Sequence, residues 1–208
     1  MKLYDENLPA PNPRRVRVFL AEKGLTIQLQ RVSLAEGEHK KPEYLAKNSL
    51  GQVPTLELDD GSTIAESVAI CRYLEALHPQ PPLFGRTPKD VGLIDMWIRR
   101  VELRVMAPIG QVWVNAHPYT ERYAKAQGIR RFTDFGEANK ERSLSAMRWL
   151  DQDLGNRPFL AGDDYSFADI AALCTLDFAA FIGLPMPTEC KNLNAWHDRV
   201  SSRPSAAA

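Results

Sequence analysis

The 208-residue sequence has no excess charge of either sign, since 26 Lys and Arg balance 26 Asp and Glu. A balanced chain presents no field that draws it to a polyanion, so neither nucleic acid nor an anionic membrane is an expected partner. No apolar run approaches 18 residues, and the N-terminus, Met1-Lys2-Leu3-Tyr4-Asp5-Glu6, turns polar at once. A membrane span and a signal peptide are therefore not expected. Cysteine is scarce: Cys71, Cys174 and Cys190 are odd in number and far apart, without a C-x-x-C pair. That excludes a disulfide framework and reads as buried, reduced thiols of a cytoplasmic protein. The histidines, His39, His78, His117 and His197, are dispersed without an H-x-x-x-H spacing or cysteine companions, so no metal is expected. A chain of this length buries roughly 70% of its unfolded surface, enough for an ordinary core without staples.

What is present divides once. Residues 1–77 alternate short strand signals with helical ones, residues 78–86 (His78-Pro79-Gln80-Pro81-Pro82-Leu83-Phe84-Gly85-Arg86) are too proline-rich for regular structure, and residues 87–208 carry helical period throughout. The expected organisation is an N-terminal domain, a stiff linker and an all-helical domain. In the N-terminal domain a strand at Leu3-Tyr4 precedes a helix capped at Asn12-Pro13 and closed by Gly24. A strand at 26–32, a short helix at 42–47, a hairpin of 55–58 with 62–64 and a helix at 66–77 complete the order βαβαββα. This order gives a mixed sheet with helices on its faces, a thioredoxin-like α/β topology. In the C-terminal domain a single long helix is expected over 90–114 with a kink at Pro108, and further helix over 119–154 despite Gly128 and Gly136. Ser166-Phe167-Ala168-Asp169 has capping-box spacing before a largely apolar helix, residues 191–202 form a last amphipathic helix, and Ala206-Ala207-Ala208 is expected to fray.

The chemistry concentrates around Gly51-Gln52-Val53-Pro54-Thr55-Leu56 and Glu66-Ser67. A proline entering a strand surrenders a donor, so Val53-Pro54 marks a tight turn that accommodates a cis bond and leaves the Val53 amide and carbonyl free to pair with a ligand's backbone. Glu66-Ser67 opens a helix whose first N–H groups attract a carboxylate. One carboxylate, one ammonium and one peptide group would be satisfied by this set, which describes a small peptide.

These segments resemble the cytosolic glutathione transferases over almost the whole chain. The resemblance rests on Arg15-Val16-Arg17 with Ala21-Glu22-Lys23-Gly24, Gly37-Glu38-His39-Lys40-Lys41-Pro42-Glu43, and Asn48-Ser49-Leu50-Gly51-Gln52-Val53-Pro54. Glu66-Ser67-Val68-Ala69-Ile70 with Tyr73-Leu74, and Leu160-Ala161-Gly162-Asp163 ahead of Ser166-Phe167-Ala168-Asp169, complete it; it is strongest to bacterial members and to the plant phi and tau classes. It implies a thioredoxin-like domain that binds glutathione, an all-α domain that binds the second substrate, and a homodimer, with Arg72 and Arg99 on elements used at the dimer contact. By motif, Val53 beside a cis Pro54 pairs with the cysteinyl unit, Ser67 and Glu66 hold the γ-glutamyl carboxylate and ammonium with help from Gln52, and His39 and Lys40 face the glycyl carboxylate.

The chain departs from the family where the thiol is activated. The serine and cysteine classes place their donor six residues before Val16, and this chain has Ala10 there. Alanine neither donates a hydrogen bond nor forms a mixed disulfide, which argues against the thiol-transfer and dehydroascorbate-reducing branch. A thiol near pKa 8.5 needs about 1.4 kcal/mol of preferential thiolate stabilisation for each unit of lowering, within reach of one or two charge-assisted hydrogen bonds. Asn12, with its side-chain amide and adjacent backbone amides at a helix start, is the first candidate donor, although it is also a sound cap on its own. Tyr4, ending the first strand near where the tyrosine classes keep theirs, is the second, and packing is its alternative. Met106, Trp113, Tyr119 and Tyr123 are expected to line an apolar second-substrate pocket between the domains. The expected activity is conjugation of glutathione to an apolar electrophile. A glutathione-dependent peroxidase or isomerase, and a binding module that has lost the chemistry, are the alternatives.

Overall fold

A computed structural model describes residues 1–6, 10–126 and 128–208. The chain forms two compact units, Met1–Arg86 together with Arg203–Ala208, and Thr87–Ser202.

In the first unit β1 (Lys2–Asp5), β2 (Gln28–Arg31), β3 (Thr55–Glu57) and β4 (Thr63–Ala65) form a four-stranded sheet of order β2-β1-β3-β4. The β1–β2 pair is parallel and the other two pairs are antiparallel, as a βαβ crossover followed by a hairpin requires. The helices are α1 (Pro11–Lys23), α2 (Pro42–Leu45) and α3 (Ser67–Leu77), with a 3-10 turn at Glu38–Lys40. Side chains alternate across a strand. Leu3 and Leu56 are paired in register and fully buried, as are Val16 and Phe19 of α1 and Ile70 and Leu74 of α3. Their neighbours Tyr4 and Thr55 point to the opposite face, where Tyr44 of α2 covers them.

Two expectations for this unit are corrected. Asn12 does not cap α1: the helix begins at Pro11, Ala10 occupies the cap position, and no side chain caps it. A cap accepts from the second or third backbone N–H, and the third helical residue, Pro13, has none. The C-terminus does not fray, and the final residues do not belong to the helical unit. Pro204–Ala207 forms a 3-10 turn against α1. Arg203 donates to both Glu22 oxygens at 2.7 and 2.8 Å, Ser205 donates to Glu22, and Arg14 donates to the Ala206 carbonyl at 2.9 Å.

The second unit contains α4 (Pro88–Arg100), α5 (Ala107–Asn115), α6 (Pro118–Ala126), α7 (Thr133–Leu154), α8 (Phe167–Phe181) and α9 (Lys191–Ser201). The long helix expected over 90–114 is present as the uninterrupted succession of α4, a π-helical segment, Val101–Met106, and α5. Pro108 has no N–H for the carbonyl four residues before it, and the wider turn takes up that lost bond ahead of the proline. Gly128, at φ 64, lies between α6 and α7, whereas Gly136 sits inside α7. A Cβ at Gly136 would come within 2.8 Å of Ala116, so the glycine is what lets the end of α5 approach α7. Asp169, fully buried, accepts from the Ser166 and Leu160 amides and from the Trp196 indole, tying the start of α8 to α9. No helix among the described residues is long and apolar enough to cross a membrane.

Candidate functional site

A small cavity in the first unit is lined by Asn12, Asn48, Gln52, Val53, Pro54, Glu66 and Ser67. Three backbone features bring these residues together. The Val53–Pro54 peptide bond is cis, and the turn before it leads straight into β3. Gly51, at φ 56, lies so close to the His39 carbonyl that a Cβ would approach it to 2.5 Å, so only glycine fits there. Glu66 adopts φ 68 and ψ 120 at the cap position of α3, a conformation that costs on the order of 1–3 kcal/mol for a residue with a side chain. That cost is sustained at the residue that puts a carboxylate on the cavity wall.

Apart from Asn48 and the Gln52 carbonyl, which bond within the turn, the polar groups of this wall are uncommitted. Among the described residues no hydrogen bond is made by the Glu66 carboxylate, the Ser67 hydroxyl, the Asn12 and Gln52 side-chain amides, or the amide and carbonyl of Val53. Ser67 is nonetheless buried, at 4% relative exposure, and it opens α3, whose first turn contains no acidic residue. The free amides of that turn and the helix dipole favour a bound carboxylate. Glu66 next to it favours an ammonium.

The first turn of α1 is different. Pro11 and Pro13 carry no N–H, so of its first three residues only Asn12 offers a backbone donor. The adjacent backbone amides expected beside Asn12 are therefore missing, and its side-chain amide carries more of any role there.

Tyr4, the second candidate thiol donor, does not line this cavity. Strand alternation puts Tyr4 on the face opposite the buried Leu3, which is the α2 face. There its hydroxyl donates to Glu57 at 2.8 Å, with the Lys47 ammonium 5.2 Å from its ring. Tyr4 instead helps line a larger hollow of about 240 Å³ with Gln30, Arg31, Val32, Glu38, Lys41, Glu43, Tyr44 and Lys47. The cations of that hollow are already matched: Arg31 to Glu6 at 3.1 Å, Lys41 to Glu38 at 3.9 Å, and Lys47 to Glu57. The smaller cavity differs in that most of its polar groups are unmatched.

His39 and Lys40 do not line the cavity. They sit on the 3-10 turn against residues 50–51, where Lys40 donates to the Leu50 carbonyl at 2.9 Å. Burial, and then the charge of Lys40, push the His39 imidazole below its ordinary pKa, toward the neutral form. In the second unit Trp113 stacks on Tyr119 at 5.4 Å and meets Phe178 edge-on at 5.3 Å, while Tyr119 and Tyr123 are exposed and Met106 is half-buried. Arg72 stacks on Phe84 and Arg99 pairs with Glu102. Among the described residues no cluster of three His, Cys, Asp or Glu side chains is placed to hold a metal.

Comparison with known proteins gives this cavity its context. The family model described as glutathione S-transferase, N-terminal domain, matches residues 10–77, and that of the C-terminal domain matches residues 135–204. The chain belongs to the glutathione S-transferase family. Glutathione S-transferase 2 of Saccharomyces cerevisiae is 43% identical over 208 residues, which span 99% of this chain and 87% of that protein. The crystal structure of Gtt2 from the same yeast superposes with a TM-score of 0.92 at 41% identity, covering 100% of this chain and 99% of that one. Glutathione S-transferase F9 of Arabidopsis thaliana is 31% identical over 209 residues, 99% of this chain and 94% of that protein. Identity is thus higher to the yeast transferase than to the plant one. The fold is that of the family, a thioredoxin-like four-stranded unit and a helical one.

In this transferase family member Asn48 also lines the cavity, and sequence reasoning did not single it out. Its position in the Asn48-to-Pro54 motif was visible, but its role comes from bonds to Gln52 and Thr55 that only the folded turn creates.

Proposed function

We propose that the chain binds glutathione in the cavity of Asn12, Val53, Glu66 and Ser67 and transfers its thiolate to an apolar electrophile. The observation that carries this reading is the set of uncommitted groups on one wall. They match a tripeptide residue by residue. The Val53 amide and carbonyl pair with the cysteinyl unit beside Pro54. Ser67 and the amides opening α3 take the γ-glutamyl carboxylate, Glu66 takes the ammonium, and Gln52 assists. His39 and Lys40 stand toward the glycyl end, where Lys40 supplies the positive charge. With alanine at position 10, the thiolate is stabilised by the Asn12 side-chain amide and the single backbone donor of the first turn of α1. Positioning of the peptide supplies the remainder of the acceleration. Met106, Trp113, Tyr119 and Tyr123 provide the apolar surface for the electrophile, and the protein acts as a cytoplasmic homodimer.

The test is the ultraviolet thiolate absorbance of glutathione with excess protein from pH 5 to 9, followed by turnover of an aryl halide. A bound thiol ionising below about 8.5, the ordinary thiol value, together with conjugate formation, supports the reading. Ala10 favours one rival, a glutathione-binding module without chemistry. Binding with an unshifted thiol and no conjugate would establish that rival instead.

A further inference from the structure

In the turn that presents Val53, three side chains converge on one atom, the carbonyl oxygen of Gln52. The Tyr44 hydroxyl donates to it at 2.7 Å and the Asn48 side-chain amide at 2.8 Å, while the Thr55 hydroxyl lies 3.4 Å away. Thr55 Oγ1 is also 2.9 Å from the Tyr44 hydroxyl and 3.3 Å from Asn48 Nδ2. Counting protons assigns the directions. Tyr44 has one proton, spent on the short bond to Gln52, so across the 2.9 Å contact Thr55 donates and Tyr44 accepts. Asn48 has two amide protons, one for Gln52 and one for Thr55, and its oxygen accepts from the Leu50 amide at 3.1 Å. The circuit from Asn48 through Thr55 and Tyr44 to Gln52 leaves every member satisfied, and all three side chains are buried. Burial raises the pKa of the Tyr44 phenol, which keeps it a donor at any working pH.

We propose that Tyr44, Asn48 and Thr55 are positioning residues that hold the Val53 amide and carbonyl in the geometry a bound peptide requires. The Gln52 carbonyl is saturated by donors and is withdrawn from ligand binding, so Val53 alone presents backbone groups to the cavity and Gln52 contributes through its side chain. Two of the three anchors reach the site from outside its wall: Tyr44 from α2 and Thr55 from the α2 face of β3, with only Asn48 lining the cavity. A binding site on one side of the sheet is thereby set by a hydrogen-bond circuit on the other. The proposal rests on the glutathione reading for its ligand and on the circuit alone for its geometry.

The experiment uses the full chain and three variants, Tyr44→Phe, Thr55→Val and Asn48→Asp, with Glu43→Gln on the exposed side of α2 as control. Calorimetric titration with glutathione and steady-state turnover are measured on each. Tyr44→Phe keeps the ring and removes one hydroxyl, so the expected result is a rise of about three- to tenfold in the dissociation constant and KM for glutathione. The turnover number at saturating glutathione and the KM for the electrophile stay within about twofold. Asn48→Asp, which sets a carboxylate against the Gln52 carbonyl, costs more than Tyr44→Phe, and Glu43→Gln changes nothing. A Tyr44→Phe protein with a lower Tm and unchanged glutathione affinity overturns the proposal, because a purely structural role predicts that outcome. If the wild-type chain does not bind glutathione, the functional reading falls by itself. The circuit is then judged by the 15N order parameter of the Val53 amide, where a drop in Tyr44→Phe supports the proposal and an unchanged value overturns it.

Discussion

Two helices begin at the cavity, and they begin differently. α3 opens with Glu66-Ser67-Val68-Ala69, all with backbone N–H groups, no acid after the cap, and a cap residue held at φ 68. α1 opens with Pro11-Asn12-Pro13 behind an alanine, which leaves one backbone donor and no capping side chain. The α3 end is equipped to hold an anion by several groups at once. The α1 end has one residue, Asn12, with which to stabilise anything. In the proposed function, affinity for a carboxylate and activation of a thiol are separated on two helix termini, and their failures are separable as well.

The largest expected effect comes from the α3 end. Ser67→Ala removes a buried hydroxyl that donates to a charged carboxylate, worth about 1.5–3 kcal/mol, so glutathione affinity measured by calorimetry falls by roughly 10- to 150-fold. A loss under twofold would mean the α3 terminus is not the carboxylate site. Next is Asn12→Ala. Turnover is expected to fall about tenfold, and the bound thiol's pKa to rise by about one unit in the thiolate titration, while the glutathione dissociation constant stays within about twofold. Equal losses in affinity and turnover would erase the distinction between the two termini.

Pro13→Ala probes the same contrast from the other direction by restoring an N–H to α1. A helix-terminal amide is worth about 0.3–1 kcal/mol to a nearby anion, so the bound thiol's pKa is expected to drop by roughly half a unit, with Asn12 untouched. No shift would place the thiol away from that turn. The smallest effect lies behind α1, where the C-terminal turn grips Glu22. Burial alone would raise the Glu22 pKa, but the hydrogen bonds from Arg203 and Ser205 and the charge of Arg203 bring it below its ordinary value. A carboxyl whose folded-state pKa is depressed adds stability above its unfolded value, and that stability is lost as pH falls through the folded value. Glu22→Gln is therefore expected to lower Tm by about 2–4 °C at pH 7 and to converge with wild type in acid. A constant difference at every pH would show that the contact is packing rather than charge.

Sequence reading reaches the α3 end more fully than the α1 end. Glu66-Ser67 and Val53-Pro54 are local signals, a helix start and a proline at a strand entrance, and their chemistry follows from adjacent residues. Asn12-Pro13 is equally local and misleads, because a capping reading places the helix start two residues too late. Pro11 is the better first helical residue, and Pro13 in third place denies a cap its donor. For Tyr4 the alternation of Leu3 and Tyr4 is legible, but not which face of the sheet α2 covers. The stretch over 90–114 carries the right period and is helical throughout, but the π-helical segment before Pro108 is not legible in that period.

Local sequence was sufficient for the order and type of nearly every element and for the turn at Val53-Pro54 and the helix start at Glu66-Ser67, because apolar periodicity, proline and glycine act over a few neighbours. Which of these residues meet was left to the tertiary fold. The convergence of Tyr44, Asn48 and Thr55 on one carbonyl and the docking of Arg203 on Glu22, 181 residues away, depend on the path of the whole chain. Such contacts leave no periodic trace: they form only once the strands have paired and the end of the chain has returned to α1.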